Sequence, residues 1–187
     1  MKEKTARIIR IITIPPIEAM VMLLILYGFR KTEFGNAKNL LVVITFLTII
    51  PLCAYPISSI IKKKGDTRES QRNMAFIFNF AAYLLAMLTG YYMGYSPMLQ
   101  WILNDYFLSV LVLTIVNKGF KIRASGHACS CTLPYLFLSY YFGGYVAGIC
   151  VLLYLVELWA SVELKRHTRK EFFLGSIVAC LVFMIRP

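Results

Sequence analysis

Two basic motifs, Lys121-Ile-Arg-Ala-Ser-Gly-His127 and Lys165-Arg-His-Thr-Arg-Lys-Glu171, enclose the stretch of sequence that decides the fold. The 39 residues between His127 and His167 are mostly apolar and are interrupted once, at Gly143-Gly144. A helix that crosses a bilayer needs about 17–25 residues, so this interval accommodates two spans joined by a tight turn. A hairpin of two spans returns the chain to the side it left. We therefore expect both histidines at one membrane face.

The composition extends this interpretation to the whole chain. Of its 187 residues 59% are hydrophobic, and the mean hydropathy is +0.67. The apolar residues form blocks long enough to span a bilayer, which is typical of an integral membrane protein. We expect one all-α domain over residues 1–187, with an interfacial lead-in at 1–14 and a core at 38–185. The predicted fold is a bundle of about six or seven transmembrane helices.

The apolar blocks predict the individual spans. They cover about 8–27, 39–61, 73–92, 97–116, 128–142, 145–164 and a marginal 172–185. Pro15-Pro16 is predicted to kink or delay the first span, and Pro51 and Pro56 to bend the second.

The net charge of +11 lies mostly in short loops, where it sets topology and contacts anionic lipid headgroups. No nucleic-acid-binding motif accompanies it, so membrane lipids and not nucleic acid are the expected partners. With seven spans, one side holds 16 of the 20 Lys and Arg residues: Lys2, Lys4, Arg7, Arg10, Lys62, Lys63, Lys64, Arg68, Arg72, Lys118, Lys121, Arg123, Lys165, Arg166, Arg169 and Lys170. The positive-inside rule makes that side cytoplasmic, with the N-terminus inside and the C-terminus outside.

The remaining polar residues of the apolar blocks have simpler interpretations. Cys129 and Cys131 lack C-x-x-C spacing, which indicates neither a disulfide framework nor a zinc site. Glu18, Asp105 and Glu157 are expected to pair within the bundle.

Basic loops that converge on one face, two of them with histidine, indicate a site for a phosphorylated substrate. Arginine binds phosphate through its planar fork, and histidine can act as a nucleophile or as a general acid and base. On a helix Glu171 shares a face with His167, whose tautomer it could fix. Ser125 and Gly126 precede a span, where backbone N–H groups can face an anion.

Ala124-Ser-Gly-His127 and Arg166-His-Thr-x-x-Glu171 resemble two motifs of the type-2 phosphatidic acid phosphatase superfamily. These metal-independent membrane phosphatases carry Lys-x6-Arg-Pro, Pro-Ser-Gly-His and Ser-Arg-x5-His-x3-Asp, and they act on phosphatidate, phosphatidylglycerol phosphate, isoprenyl diphosphates and similar lipids. The resemblance covers roughly residues 62–180. It implies a helical bundle with its active site at the membrane–water boundary and no cofactor.

The resemblance also implies roles for individual residues. His167 corresponds to the nucleophile, with Glu171 where the family has Asp. His127 corresponds to the general acid, and Ser125 and Gly126 to phosphate ligands.

The first motif matches less closely. Arg72 is the nearest equivalent of its arginine, but Asn73 replaces the proline and Gly65 stands at the lysine position. Lys64 and Arg68 are the candidate replacements for that lysine.

The third motif lacks a cation, because Ser161 stands where the family has Arg. Arg123, Lys165 or Arg166, which belong to the two histidine motifs, could replace it. We therefore expect an enzyme that dephosphorylates a lipid phosphate or isoprenyl diphosphate through a phosphohistidine. The alternative is a weak or inactive relative that binds phospholipid or takes part in transport. Two structural histidines, or two haem ligands, remain less favoured interpretations, since both histidines flank spans amid cations.

Overall fold

The computed structural model describes residues 1–60 and 67–185, apart from the side chains of 59 and 67–71, and every regular element within these ranges is helical. The α-helices are α1 (Lys2–Ile12), α2 (Pro15–Phe29), α3 (Lys31–Phe34), α4 (Ala37–Ile44), α5 (Ile50–Ile60), α6 (Thr67–Met93), α7 (Pro97–Thr114), α8 (Gly126–Phe142), α9 (Gly144–Glu163) and α10 (Arg169–Phe183). One π-helical segment, Thr45–Ile49, joins α4 to α5, and another, Ile115–Gly119, extends α7. The predicted all-α class is confirmed.

Four described helical stretches are long and apolar enough to cross a membrane. They are Ala37–Ser58, Arg72–Met93, Pro97–Gly119 and Gly144–Glu163, and a fifth results if the bent pair α1 and α2 is counted as one span. Helices α8 and α10 have 17 and 15 residues, and they pack against each other in the bundle. The prediction of helices able to span a membrane is confirmed, and their total of six or seven stays a prediction.

The chain bends by 53° between α1 and α2, within the first predicted span. Ile14 is extended because it precedes a proline, and Pro15-Pro16 begins α2. The predicted kink at these prolines is therefore confirmed. The bend lays α1 against α9, so residues 1–14 do more than lead into the membrane.

Helix α8 lies at the centre of the bundle, in contact with α2, α7, α9 and α10. It is buried on nearly every side, and its buried polar residues Ser130 and Thr132 lie among apolar ones, so the helix has no polar face. Helix α10 approaches the first turn of α8 closely at Gly175, where an added Cβ would lie 2.1 Å from the carbonyl oxygen of Ser125. Only a glycine permits this approach, which holds the start of α8 against α10.

Candidate active site

A backbone hydrogen bond joins the two histidine motifs. The N–H of Ser125 donates to the carbonyl oxygen of Glu171 over 2.9 Å. Ser125 is also the N-cap of α8, since its Oγ accepts from the N–H of Ala128 over 3.1 Å. The first turn of α8 and the first turn of α10 are therefore held together, one carrying His127 and the other following His167.

The end of α9 places the second motif. The N–H of Lys165 donates to the carbonyl of Val162 over 2.9 Å, and the N–H of Arg166 to that of Ser161 over 3.0 Å. Lys165 has φ of 50°, the left-handed conformation that completes this Schellman ending. The turn directs the chain back over the last turn of α9, so the backbone of Arg166 lies beside Ser161.

Glu171 orients His167. Nδ1 of His167 donates to Oε2 of Glu171 over 3.3 Å. The same carboxylate oxygen accepts from the N–H of Thr168 over 3.1 Å, while Thr168 Oγ1 accepts from the N–H of Glu171 over 3.2 Å, which forms a capping box. A proton held on Nδ1 leaves the lone pair on Nε2 available for attack.

Arg123 adds a cation on the other oxygen of Glu171. Its Nε lies 3.5 Å from Oε1 of Glu171, and its side chain is 67% exposed. One end of this pair is therefore accessible from water, as an incoming anion requires.

His127 is the second residue of α8, and its side chain is only 8% exposed. Its Nε2 lies 3.9 Å from Oε2 of Glu157 on α9. Burial, followed by the positive charges of Arg10 and His167, lowers the pKa of His127.

Arg10 of α1 occupies the neighbourhood of Ser161. Its Nη1 donates to Oγ of Ser161 over 2.9 Å, and its charge acts on His127, His167 and Arg166. The guanidinium thus lies where the third motif lacks its arginine, although it arrives from a residue 151 positions away.

The sequence does not single out Arg10, which is one of 16 Lys and Arg residues predicted on the same side of the membrane. Ala6, one helical turn earlier, is the buried residue of α1, and its small side chain permits close contact with α9. An alanine and an arginine four residues apart on a basic helix are too common to indicate a site.

The environment of His167 favours its neutral form. Burial, followed by the positive charge of Arg10, lowers the pKa of His167, whereas the hydrogen bond and charge of Glu171 oppose the shift. A neutral imidazole is the form that can act as a nucleophile.

One predicted phosphate ligand needs correction. The N–H of Ser125 does not face an anion, because it donates to the carbonyl of Glu171, and the Ser125 side chain is buried. The N–H groups of Gly126 and His127 belong to the first turn of α8, where an α-helix supplies no acceptor of its own.

The structure describes three of the remaining predicted ligands, Gly126, Arg166 and Arg72. Arg166 is exposed and lies within electrostatic range of Arg10. A Cβ on Gly126 would lie 3.9 Å from Phe76 of α6, and Arg72, which is exposed, precedes Phe76 by one turn. Lys64 and the side chain of Arg68 lie outside the described residues.

Comparison of the chain with models of protein families, with curated proteins and with solved structures finds no significant match.

Proposed function

We propose that this protein is a membrane-embedded, metal-independent phosphatase that removes phosphate from a lipid phosphate or isoprenyl diphosphate. The resemblance of the two histidine motifs to the phosphatase superfamily supports the reaction type, and the contacts around the histidines support the mechanism. It includes a bundle of six or seven spans with the site at the membrane–water boundary. A substrate at that depth keeps its tail in lipid while its phosphate reaches the histidines.

The pairing of His167 with Glu171 beside Arg10 is the observation that carries the proposal. Arg10 and Arg123 both act electrostatically on His167, and Arg166 acts on Arg10. This positive charge around the imidazole supports binding of a phosphate group there. Phosphoryl transfer requires mainly cations that neutralise the equatorial oxygens of the phosphate and a nucleophile in line with the bond that breaks.

The reaction proceeds in two displacements. Nε2 of neutral His167 attacks phosphorus, the bond to the lipid oxygen breaks, and His127 donates a proton to that oxygen. His127 must enter this step protonated, a form that the carboxylate of Glu157, 3.9 Å from its Nε2, would stabilise. Water then attacks the phosphohistidine, His127 accepts the proton of the water, and inorganic phosphate leaves as Nε2 recovers its lone pair. Glu171 stabilises the charge on His167 during the intermediate.

Arg10 bears on the alternative of a non-catalytic relative. That alternative was motivated by the missing cation at Ser161. A guanidinium from α1 donates a hydrogen bond to Ser161, and this cation beside the altered position supports the active phosphatase over the inactive relative.

The outer surface favours a lipid substrate. Large apolar side chains are exposed along α9, including Val151, Leu152 and Leu155. Such a surface is stable against acyl chains and unstable against water. A membrane around α9 would bring lipid beside the site at the end of this helix.

Phosphate release from a panel of lipid phosphates and isoprenyl diphosphates, in chelator and without added metal, tests the proposal. We expect release by the wild type with at least one substrate and none above background with His167→Ala. Equal release by the two proteins would refute the nucleophile, and no release by the wild type on any substrate would favour the binding alternative.

A further inference from the structure

A cluster of reactive side chains shares His127 with the candidate active site and extends along α8. His127, Cys131 and Tyr135 follow one another at four-residue intervals on α8, so they share one face of that helix. This face meets Glu157 of α9 and Glu18 of α2.

The potential ligand atoms of this cluster converge. The donor atoms of His127, Cys131 and Glu157 all lie within 4.8 Å of one another. Tyr135 Oη lies 2.7 Å from Oε1 of Glu18 and also contacts Oε1 of Glu157, which places the second carboxylate beside the first. A tyrosine has one proton, so it donates to only one of the two.

Both carboxylates are left incompletely satisfied. Glu157 is 1% exposed and Glu18 is 9% exposed. Within the described part of the chain, Oε2 of each accepts no hydrogen bond. A buried carboxylate oxygen without a partner is costly and calls for a proton or a cation.

We propose that His127, Cys131 and Glu157, with Glu18 as fourth ligand, bind a divalent cation of the zinc type. An imidazole nitrogen, a thiolate and carboxylate oxygens form a ligand set that zinc accepts in tetrahedral geometry. In such a site neighbouring ligand atoms lie roughly 3.3–3.7 Å apart, so small side-chain rotations close the cluster around the ion. As Sγ of Cys131 bonds to the metal, its thiol proton passes to solvent.

The sequence indicated no zinc site because the two nearby cysteines lack the usual spacing. The structure separates them, since Cys129 is buried elsewhere on α8 and takes no part in the cluster. The partner of Cys131 is instead His127, one helical turn away.

Metal at this site removes His127 Nε2 from acid–base chemistry. If the proposed phosphatase mechanism holds, zinc inhibits the enzyme by occupying its general acid. This consequence rests on the proposed function, whereas the binding itself does not.

Titration of the purified, chelator-stripped protein in detergent with Co²⁺, followed by displacement with Zn²⁺, tests the proposal. We expect one tetrahedral Co²⁺ per chain with a thiolate-to-metal absorption band that Zn²⁺ abolishes. Cys131→Ser removes the band, and Glu157→Gln weakens Co²⁺ binding at least about tenfold. Absence of the band in the wild type, or its persistence in Cys131→Ser, would overturn the site.

Two controls separate this result from the phosphatase proposal. Cys180→Ser alters an exposed cysteine and is expected to retain the band, so its loss there would contradict the assignment. His167→Ala lies outside the ligand set and is expected to retain Co²⁺ binding whether or not the protein hydrolyses phosphate.

Discussion

Arg10 links the first helix of the chain to the chemistry at its other end. Its guanidinium donates to Ser161 and acts electrostatically on both histidines. We expect Arg10→Ala to lower kcat by about 10²–10³-fold, the usual loss of one transition-state donor. Initial rates of phosphate release from the best substrate measure the effect.

Two further variants show whether the position of the Arg10 guanidinium matters, or only the positive charge of α1. Arg7→Ala removes an exposed cation of the same helix that pairs with Glu3, and its rate is expected to equal that of the wild type. Adding Ser161→Arg to Arg10→Ala returns a guanidinium to the same place from α9 and recovers part of the rate. An unchanged rate in Arg10→Ala would remove this residue from the account.

The pH profile reports the charges around His167. The pKa of His167 is lowered, so its imidazole stays neutral at pH values somewhat below the ordinary histidine pKa of about 6.5. Activity is therefore expected to fall only below that pH, and this fall is the acid limb of the pH profile. Arg10→Ala removes a charge that lowers the pKa and shifts this acid limb to higher pH. Glu171→Gln removes a charge that raises the pKa and shifts the limb to lower pH, while its amide retains the capping box.

The shifts of the acid limb are compared between variants on one substrate, because titration of the substrate phosphate is then the same in all of them. Shifts in the same direction for Arg10→Ala and Glu171→Gln would show that the limb belongs to another group.

At the scale of the elements, the contact of α10 with α8 holds the site together. Gly175→Ala places a methyl group 2.1 Å from the carbonyl of Ser125, and that oxygen belongs to rigid backbone. We expect a cost of about 1–3 kcal/mol in stability and a larger fall in kcat, since the Ser125–Glu171 hydrogen bond is strained. Thermal unfolding in detergent and phosphate release measure the two effects.

Gly148→Ala is the matched control for this helix contact. Gly148 lies within α9, and a Cβ there meets nothing within 4 Å. The substitution is expected to leave kcat unchanged and to raise stability by up to about 1 kcal/mol. If Gly175→Ala and Gly148→Ala had the same stability and the same kcat, close packing of α10 on α8 would not explain the glycine at position 175.

Local sequence patterns predicted most helices, because apolar blocks, prolines and Gly143-Gly144 determine where a helix runs, bends or ends through interactions within a few residues. The pairing of His167 with Glu171 was predicted from a shared helix face, but His167 precedes Thr168, the N-cap of α10. The two side chains meet because Glu171 turns back toward the residues before the helix in the capping box. The approach of Arg10 to Ser161 was not predicted, because it depends on how α1 packs against α9 after the bend. The convergence of Glu18 with Glu157 depends in the same way on tertiary packing.

At the scale of the whole molecule, the distribution of charge predicts a topology. With seven spans, 16 of the 20 Lys and Arg residues lie on the same side as the histidines, and the positive-inside rule assigns that side to the cytoplasm. We expect a cysteine introduced at Lys64 to resist a membrane-impermeant reagent in intact cells and to react after lysis. A cysteine at Lys38, on the opposite side, is expected to react in intact cells. The reverse pattern would place the histidines outside.

The phosphorylated intermediate on His167 is the most direct test of the central claim. Rapid quenching of the enzyme with a substrate labelled in its phosphate is expected to trap an acid-labile, base-stable label on the peptide that contains His167. His167→Ala is expected to carry none. Label on another residue, or turnover by the wild type with no labelled enzyme at any time, would contradict the account.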